Sequence, residues 1–173
     1  LEKVMSRVEG LTSTSREQVV KLTADIIEMS KGFPQSAKEL AEGLYFIASS
    51  GYPGAQAMDV LKSSAMAAAA GLGETKVVAD AITSALNAYG ESADKAQKYT
   101  DVLVAAVREG KGEPDALAGA FGRVLPVAAA AGISFEQVAA SLATMTRTGL
   151  TADEAATALR AALMNMYAPS KET

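Results

Sequence analysis

The sequence contains no cysteine and no histidine, and only 5% of its 173 residues are aromatic. Without cysteine the chain has no disulfides, no thiolate metal ligands and no cysteine nucleophile. Without histidine the usual general base of a Ser-His-Asp triad is missing, and zinc or copper sites lose their commonest ligand. We therefore expect no metal, no cofactor and no catalytic residue, and we predict that the protein is not an enzyme.

Strong charge and long apolar runs are also missing. The net charge is −4, and the Lys and Arg residues are scattered, so sequence-specific nucleic-acid binding is not expected. The longest uncharged run, residues 43–58, has 16 residues and contains Gly51, Pro53 and Gly54, so it predicts no membrane span. The sequence starts at Leu1 without a leader pattern, which suggests a fragment of a longer chain.

Alanine is the residue that the chain has in excess, with 36 copies in a sequence that is 49% hydrophobic. Small, helix-favouring apolar residues indicate closely packed helices rather than a sheet. At this length one domain can bury a sizeable core. The composition therefore predicts an all-α protein.

The clearest local signal is the joint at Ala128 to Gln137. Gly132 can take the left-handed conformation that ends a helix, and Ile133 can fold back over the last turn in a Schellman-type cap. Ser134 and Gln137 form a capping box that opens the next helix. One helix is thus expected to end and the next to begin within about two residues.

Similar joints recur at intervals of 17 to 22 residues, each long enough for a helix of roughly four turns. The glycines concerned are Gly10, Gly32, Gly51, Gly71, Gly90, Gly110, Gly132 and Gly149. We predict about eight short helices in an antiparallel bundle or helical-hairpin array. Residues 1–173 would form one helical domain with an ordered core of about 14–168, closed near Ala168 and Pro169.

Helix starts and buried stripes can be assigned along the chain. The expected first residues are Ser15 with Gln18, Pro34 with Ser36, Pro53, Glu74, Ser92, Ser134 and Thr151. The polar stretch Gly110 to Pro114 is expected to be a loop rather than a tight cap. The expected inward residues are Val19, Leu22, Ile26 and Met29; Leu40, Leu44 and Ile47; Val78, Ala81, Ile82, Ala85, Leu86 and Tyr89; Tyr99, Leu103 and Ala106; Leu117, Phe121, Val124 and Leu125; Phe135, Val138, Leu142 and Met145; and Leu159, Ala162, Leu163 and Met166.

Two weakly charged helices, near residues 54–70 and 115–131, should be either the buried centre or a self-association face. The second contains Pro126, which predicts a kink. This helix is either a kinked core helix or a hinge or partner groove, and Gly119 and Gly122 would let another helix approach it closely. Lys at Ala68 or Ala129 should then change stability or oligomeric state.

An internal duplication is possible at an offset of 77 residues. Leu40-Ala41 then falls on Leu117-Ala118, and Ala85-Leu86 falls on Ala162-Leu163. This alignment would divide the chain into two halves of about four helices each.

Chemically active side chains have structural explanations. Helix capping accounts for the hydroxyl residues Ser13, Ser15, Ser92, Ser134 and Thr151. First-turn positions account for the carboxylates Glu39, Glu42, Asp153 and Glu154. Gly71-Leu72-Gly73 lacks the strand and the Lys of a phosphate-binding loop. We assign no catalytic, cofactor-binding or metal-binding residue.

Four stretches resemble, in order, the tail tape measure proteins of long-tailed bacteriophages or prophages. They are Leu40 to Tyr52, Ala81 to Gly90, Phe121 to Gln137, and Thr148-Gly149-Leu150 with Ala155 to Leu163. The resemblance covers residues 15 to 169. One departure from the expected pattern is the charged Arg123, which leaves the orientation of its helix open.

This resemblance implies a conserved helical domain of N-terminal type within a much longer structural protein. Such a protein would set tail length during assembly and leave the tail ahead of the DNA. Implied partners are further copies of itself, tail tube subunits, tail assembly chaperones and tail tip proteins. The implied locations are the lumen of the virion tail and, during assembly, the cytoplasm of the bacterial host.

The alternative is a helical adaptor or ligand-binding regulatory bundle. It requires a preformed apolar cavity lined by Phe46, Phe121, Leu125 and Met145, whereas a ruler should have a filled core.

Overall fold

The computed structural model describes residues 1–12 and 15–167, in which helices are joined by turns and loops and no strand is present. The all-α prediction is confirmed. The described part has nine α-helices: α1 Glu2–Thr12, α2 Arg16–Met29, α3 Ala37–Ser49, α4 Ala55–Ala67, α5 Thr75–Tyr89, α6 Ala96–Glu109, α7 Pro114–Ala130, α8 Phe135–Arg147 and α9 Ala152–Tyr167. A π-type turn at Ala68–Leu72 follows α4, and a 3₁₀ turn at Ala93–Lys95 precedes α6.

The joint between α7 and α8 has the predicted geometry. Gly132 has φ 72°, its N–H donates to the Ala129 carbonyl at 3.1 Å, and the Ile133 N–H donates to the Ala128 carbonyl at 2.9 Å. These are the two bonds of a Schellman motif. The Ser134 hydroxyl accepts from the Gln137 N–H, while the Gln137 side chain accepts from the Ser134 N–H. The same pair of backbone bonds is present at Gly51, Gly90 and Gly149.

Three further capping boxes hold the starts of α2, α3 and α9. They pair Ser15 with Gln18, Ser36 with Glu39, and Thr151 with Glu154. The predicted cap at Ser92 is wrong, because its hydroxyl donates to the Asp94 carboxylate and caps no backbone N–H. The predicted cap at Ser13 and the helix closure at residues 168–169 lie outside the described residues.

Some glycine boundaries are also wrong. Gly10 lies inside α1, which continues to Thr12. Glycine is a poor helix former but does not by itself end a helix. A methyl group added at Gly10 would meet nothing within 4 Å. By contrast, Gly110 follows the end of α6 in an extended conformation, with φ −81° and ψ −173°, and residues 110–113 form the predicted loop between α6 and α7. The helix assigned to Pro53 begins two residues later, at Ala55, after Gly54.

Helix α7 is the most central element. It packs against α5, α8 and α9, while α5 also packs against α3 and α4, and α1 covers α3. Phe121, Val124 and Leu125 of α7 are fully buried. The predicted buried centre is therefore confirmed for the inner face of α7.

Most predicted stripes face the core, but the stripe of α9 is only partly right. Leu163 is buried, whereas Ala162 is exposed and Met166 is 80% exposed. The helix instead buries Ala152, Ala155 and Ala156. The reason is tertiary, since no described helix packs on the side of α9 that carries Ala162 and Met166.

The closest helix approach is not at the predicted glycines. Gly119 is exposed, and a methyl group added there would meet nothing within 4 Å. At Gly122 the nearest atom would be the Ser84 hydroxyl oxygen, 4.0 Å away. Gly43 is the close contact, because a Cβ there would lie 3.0 Å from a methyl carbon of Leu61. Helix α7 continues past Pro126 to Ala130, and a kink there stays a prediction.

The helices repeat at the 77-residue offset. Helices α2, α3, α4 and α5 fall on α6, α7, α8 and α9, and α1 falls on the second part of α5. Equivalent residues are buried alike in three helix pairs, namely Ile26 and Leu103, Leu40 and Leu117, and Leu61 and Val138. We call α2–α5 the first unit and α6–α9 the second unit.

Candidate functional site

The hydroxyl groups that could act as nucleophiles are engaged at helix starts. The hydroxyls of Ser15, Ser134 and Thr151 each accept a hydrogen bond from a backbone N–H three residues further on. The backbone fixes these oxygens as acceptors, and the sequence has no histidine to activate them. The geometry therefore assigns them to helix capping.

The carboxylates that the sequence drew attention to are caps or surface ion pairs. A backbone hydrogen bond from Ser36 lowers the pKa of Glu39, and one from Thr151 lowers the pKa of Glu154. Glu42 lies 3.7 Å from the Lys38 ammonium, and Asp153 lies 2.9 Å from the Arg123 guanidinium. Across residues 1–12 and 15–167, no three His, Cys, Asp or Glu side chains come together as a metal site.

The ion pair of Arg123 with Asp153 settles the orientation of α7. The Arg123 side chain is 53% exposed, so this charged residue lies on the outer surface, where it joins α7 to the start of α9. The apolar residues on either side of it can therefore face the core. The exposed pair contributes little stability, because solvent screens it.

The Gly71-Leu72-Gly73 segment binds the chain's own carboxylate rather than a phosphate. The Glu74 N–H donates to Asp115 Oδ1 at 3.0 Å, and a Cβ at Gly73 would lie 1.6 Å from that oxygen. Gly73 is required here because its φ is 105° and the Asp115 side chain occupies the adjacent space. A carboxylate at this position would repel an anion. Sequence reasoning missed Asp115, whose only local signal is a first-turn position.

Four aromatic rings form a row from the end of the first unit into the second unit. Tyr89 and Tyr99 have ring centroids 6.3 Å apart, Tyr99 and Phe135 4.8 Å, and Phe135 and Phe121 5.2 Å. Burial raises the pKa of both tyrosines to about 12. The Tyr89 hydroxyl donates to the Ile133 carbonyl at 2.8 Å. The row joins α5, α6, α8 and α7, so these rings are structural.

The apolar cavity required by the adaptor hypothesis does not form from the proposed residues. Phe121 and Leu125 are fully buried in the core, whereas Phe46 lies partly buried on α3 with the Lys76 ammonium 6.0 Å from its ring centre. Met145 is partly exposed. None of the four residues lines any of the grooves described below.

One apolar groove lies between α6 and α8 and has a volume of about 470 Å³. Its floor is mainly alanine, and its charged rim is formed by Glu109, Glu136 and Arg147. Lys98 donates to Glu136 at 2.7 Å, and this hydrogen bond lowers the pKa of Glu136. Another helix could pack against this alanine floor, whereas a small polar substrate would find few polar groups to bind.

A second groove, of about 420 Å³, lies between α8 and α9. It is lined by Ile133, Gln137, Val138, Ala140, Ser141, Leu159 and Leu163. It adjoins the exposed part of α9, where Met164, Met166 and Tyr167 are 46%, 80% and 62% exposed. Sequence reasoning expected this part of α9 to be buried. The exposure of α9 could have been anticipated from the 77-residue offset. In the first unit the equivalent residues lie on α5, where a later helix packs against them.

No helix in the described ranges is both long and apolar enough to cross a membrane. The fold and its surfaces thus consist of capped, closely packed helices with apolar grooves between them.

Comparison with known proteins gives a consistent result. The sequence profile of a family described as phage-related minor tail proteins matches residues 23–173. A tape measure protein of Pneumococcus phage Dp-1 is 32% identical over 167 residues, which are 96% of this chain and 14% of the relative. A probable tape measure protein of Clostridium phage phiCD119 is 28% identical over 144 residues, 81% of this chain and 15% of that relative.

The chain therefore spans about one seventh of the length of these curated relatives. No solved structure matches it.

Proposed function

The chain belongs to the family of phage-related minor tail proteins, and from this premise we propose that it is a helical segment of a tape measure protein. In this role the full-length protein sets the length of the tail during assembly and is released ahead of the DNA when the genome is ejected. The observation that carries the proposal is the match over residues 23–173, together with two relatives named as tape measure and probable tape measure proteins.

Features of the fold support a structural role without catalysis. The hydroxyls and carboxylates considered as reactive groups serve as caps and surface ion pairs. The helices of the first unit repeat once, at an offset of 77 residues, and an array of such units would add a similar length for each unit. Such regularity suits a protein whose length is its function.

We also propose partners and a location for the full-length protein. It would lie in the lumen of the virion tail, after assembly in the host cytoplasm, in contact with tail tube subunits, assembly chaperones, tail tip proteins and further copies of itself. The groove between α6 and α8 is a suitable contact surface, because its alanine floor admits close approach of another helix. Residues 1–173 would fold as one domain of that longer chain.

The test is a change of one unit in the full-length protein, with tail length measured by electron microscopy. Deletion of residues 90–166 removes 77 residues and joins Tyr89 to Tyr167, so that α5 takes the place of α9. Tails should shorten by at most about 115 Å, the length of 77 residues in continuous α-helix. Duplication of residues 90–166 should lengthen them by a similar amount.

A matched control replaces residues 90–166 with a second copy of residues 13–89, which leaves the number of residues unchanged. This variant should give tails of the original length if the number of residues, rather than their identity, sets tail length. Tails of unchanged length in both the deletion and the duplication would contradict the proposal.

A further inference from the structure

Helices α8 and α9 share an apolar surface that no described helix covers. Ala158 and Ala162 are exposed, Met166 is 80% exposed and Leu159 is half-buried. The groove between α8 and α9 continues this surface through Ala140 and Ser141. We call these six residues the open face.

The equivalent surface of the first unit is covered. At the 77-residue offset, Ala158, Leu159 and Ala162 correspond to Ala81, Ile82 and Ala85 of α5, which are 3%, 1% and 0% exposed. Helix α7 packs on α5. Helix α9 packs on α7 and α8, the equivalents of α3 and α4, and still leaves this surface exposed. We therefore attribute its burial on α5 to α7, the helix two positions later in the chain.

Helix α6 covers the neighbouring part of the first unit. Ser63 and Ser64 of α4 correspond to Ala140 and Ser141 of α8, and both are buried. Helix α4 packs on α6, and the Ser63 hydroxyl donates to Gln97 Oε1 at 3.3 Å. The two halves of the open face thus correspond to surfaces covered by two consecutive helices, α6 and α7.

Helix α1 repeats the same relationship. Val4, Met5 and Val8 correspond at the 77-residue offset to Ala81, Ile82 and Ala85, and all three are buried. Helix α3, two positions later, packs on α1. Of the three equivalent helices α1, α5 and α9, only α9 has no described helix two positions later to cover it.

We propose that the open face is covered by the next two helices of the same polypeptide, in the positions that α6 and α7 take in the first unit. At the observed period these helices end within about 35 residues of Thr173. The length of the matched relatives, of which this chain spans 14% and 15%, leaves room for such a continuation. The inference concerns how the array continues, and it does not depend on whether the protein sets tail length.

A second copy of the chain is a poorer occupant. The helices of a second copy that match α6 and α7 are its α2 and α3. Both already pack against the α1 of their own copy, so they could reach another molecule's α9 only after α1 had been displaced. The following segment of the same chain carries no such cost.

These 173 residues contain no cysteine, so one introduced thiol reports on one position. Any cysteine in the rest of the full-length protein is first replaced by serine. Ala162→Cys places a thiol in the open face, and Thr157→Cys provides a matched control on the same helix. Thr157 is exposed, and so is its equivalent Asp80 on the covered helix α5. The control thiol should therefore react whether or not the open face is covered. Ala85→Cys supplies the rate for a covered position.

The alkylation rate of each thiol is measured with a maleimide in the 173-residue chain and in the purified full-length protein, at two protein concentrations. We expect Ala162→Cys to react at least ten times more slowly in the full-length protein than in the 173-residue chain, at both concentrations. Thr157→Cys should react equally in the two proteins.

Equal rates for Ala162→Cys in the two proteins would overturn the proposal. Protection that grows with protein concentration would also overturn it, since that result assigns the face to a second copy. Ala158→Cys repeats the measurement at a second position of the open face, in case Ala162→Cys disturbs α9.

Discussion

Helices α5 and α9 occupy equivalent places in the two units, yet they differ in what surrounds them. Helix α5 packs on α3, α4 and α7, whereas the main neighbours of α9 in the described part of the chain are α7 and α8. The pair Ala85 and Ala162 shows the difference, because the first is fully buried and the second is exposed. The same residue type at the same repeat position can therefore be core or surface, depending on whether the next unit is present.

The largest difference is expected at Leu86 and Leu163, which are equivalent and 0% and 8% exposed. Leu86→Ala leaves a cavity between packed helices and should lower the free energy of unfolding by about 4 kcal/mol. Leu163→Ala should cost about 2 kcal/mol, because its groove is open to solvent and leaves a smaller enclosed void. Urea unfolding followed by circular dichroism measures both losses, and equal losses would remove the distinction between the helices.

The next comparison adds volume instead of removing it. Ala85→Leu forces a larger side chain between α5 and α7 and should cost about 2 kcal/mol through overpacking. Ala162→Leu extends into the open face and should change the stability of the 173-residue chain by less than about 0.5 kcal/mol. The same unfolding experiment applies. A large loss at Ala162 would mean that the face is already occupied in this chain.

Ser15 and Ser92 test the equivalence at the beginning of each unit. Ser15 is the N-cap in a capping box, whereas its equivalent Ser92 bonds to Asp94 and opens a 3₁₀ turn. Ser15→Ala should lower the free energy of unfolding by about 1 kcal/mol. Ser92→Ala should stay within about 0.5 kcal/mol of the parent. Thermal unfolding of the two variants measures both changes. A loss of stability from Ser92→Ala as large as that from Ser15→Ala would mean that Ser92 is an N-cap after all.

The smallest effect is a gain in stability. Gly119 is exposed inside α7 and corresponds to Glu42 in α3, so α7 has a poor helix former where α3 has a good one. Gly119→Ala meets no neighbouring atom and should stabilise the protein by about 0.5–1 kcal/mol. Gly132→Ala is the control and should destabilise it, because Gly132 has φ 72°. Destabilisation by Gly119→Ala would contradict the open space around Gly119, because it would mean that another helix lies close to this position.

Local signals in the sequence predicted the helices well. The joint at Gly132 and Ser134 was predicted from ten consecutive residues, and its hydrogen bonds are those observed. The resemblance of the same stretch to tape measure proteins agrees with the family to which the chain belongs. The prediction failed at Ser92 because a 3₁₀ turn at Ala93–Lys95 follows it in place of an α-helix, and its hydroxyl accepts no hydrogen bond from a backbone N–H there.

Longer-range features could not be predicted in the same way. Met166 has the helical spacing of an inward residue and is nevertheless 80% exposed. Gly119 and Gly122 suggested a close helix approach, which the structure places at Gly43. A helical period shows that a side is apolar, but it does not show which helix lies against that side. The same limit applied to the grooves between α6 and α8 and between α8 and α9, because a groove depends on how two helices pack.

The sequence by itself determined the all-α class and most of the capped helix boundaries, and it suggested the 77-residue offset, because these depend on residues within one turn or on direct comparison of two segments. The tertiary structure decided which apolar sides are covered. Coverage depends on contacts between distant residues, such as the Tyr89 hydroxyl and the Ile133 carbonyl, 44 positions apart. Two similar helices, α5 and α9, therefore differ in burial, because among the described helices α5 has a later helix, α7, packed against it and α9 has none.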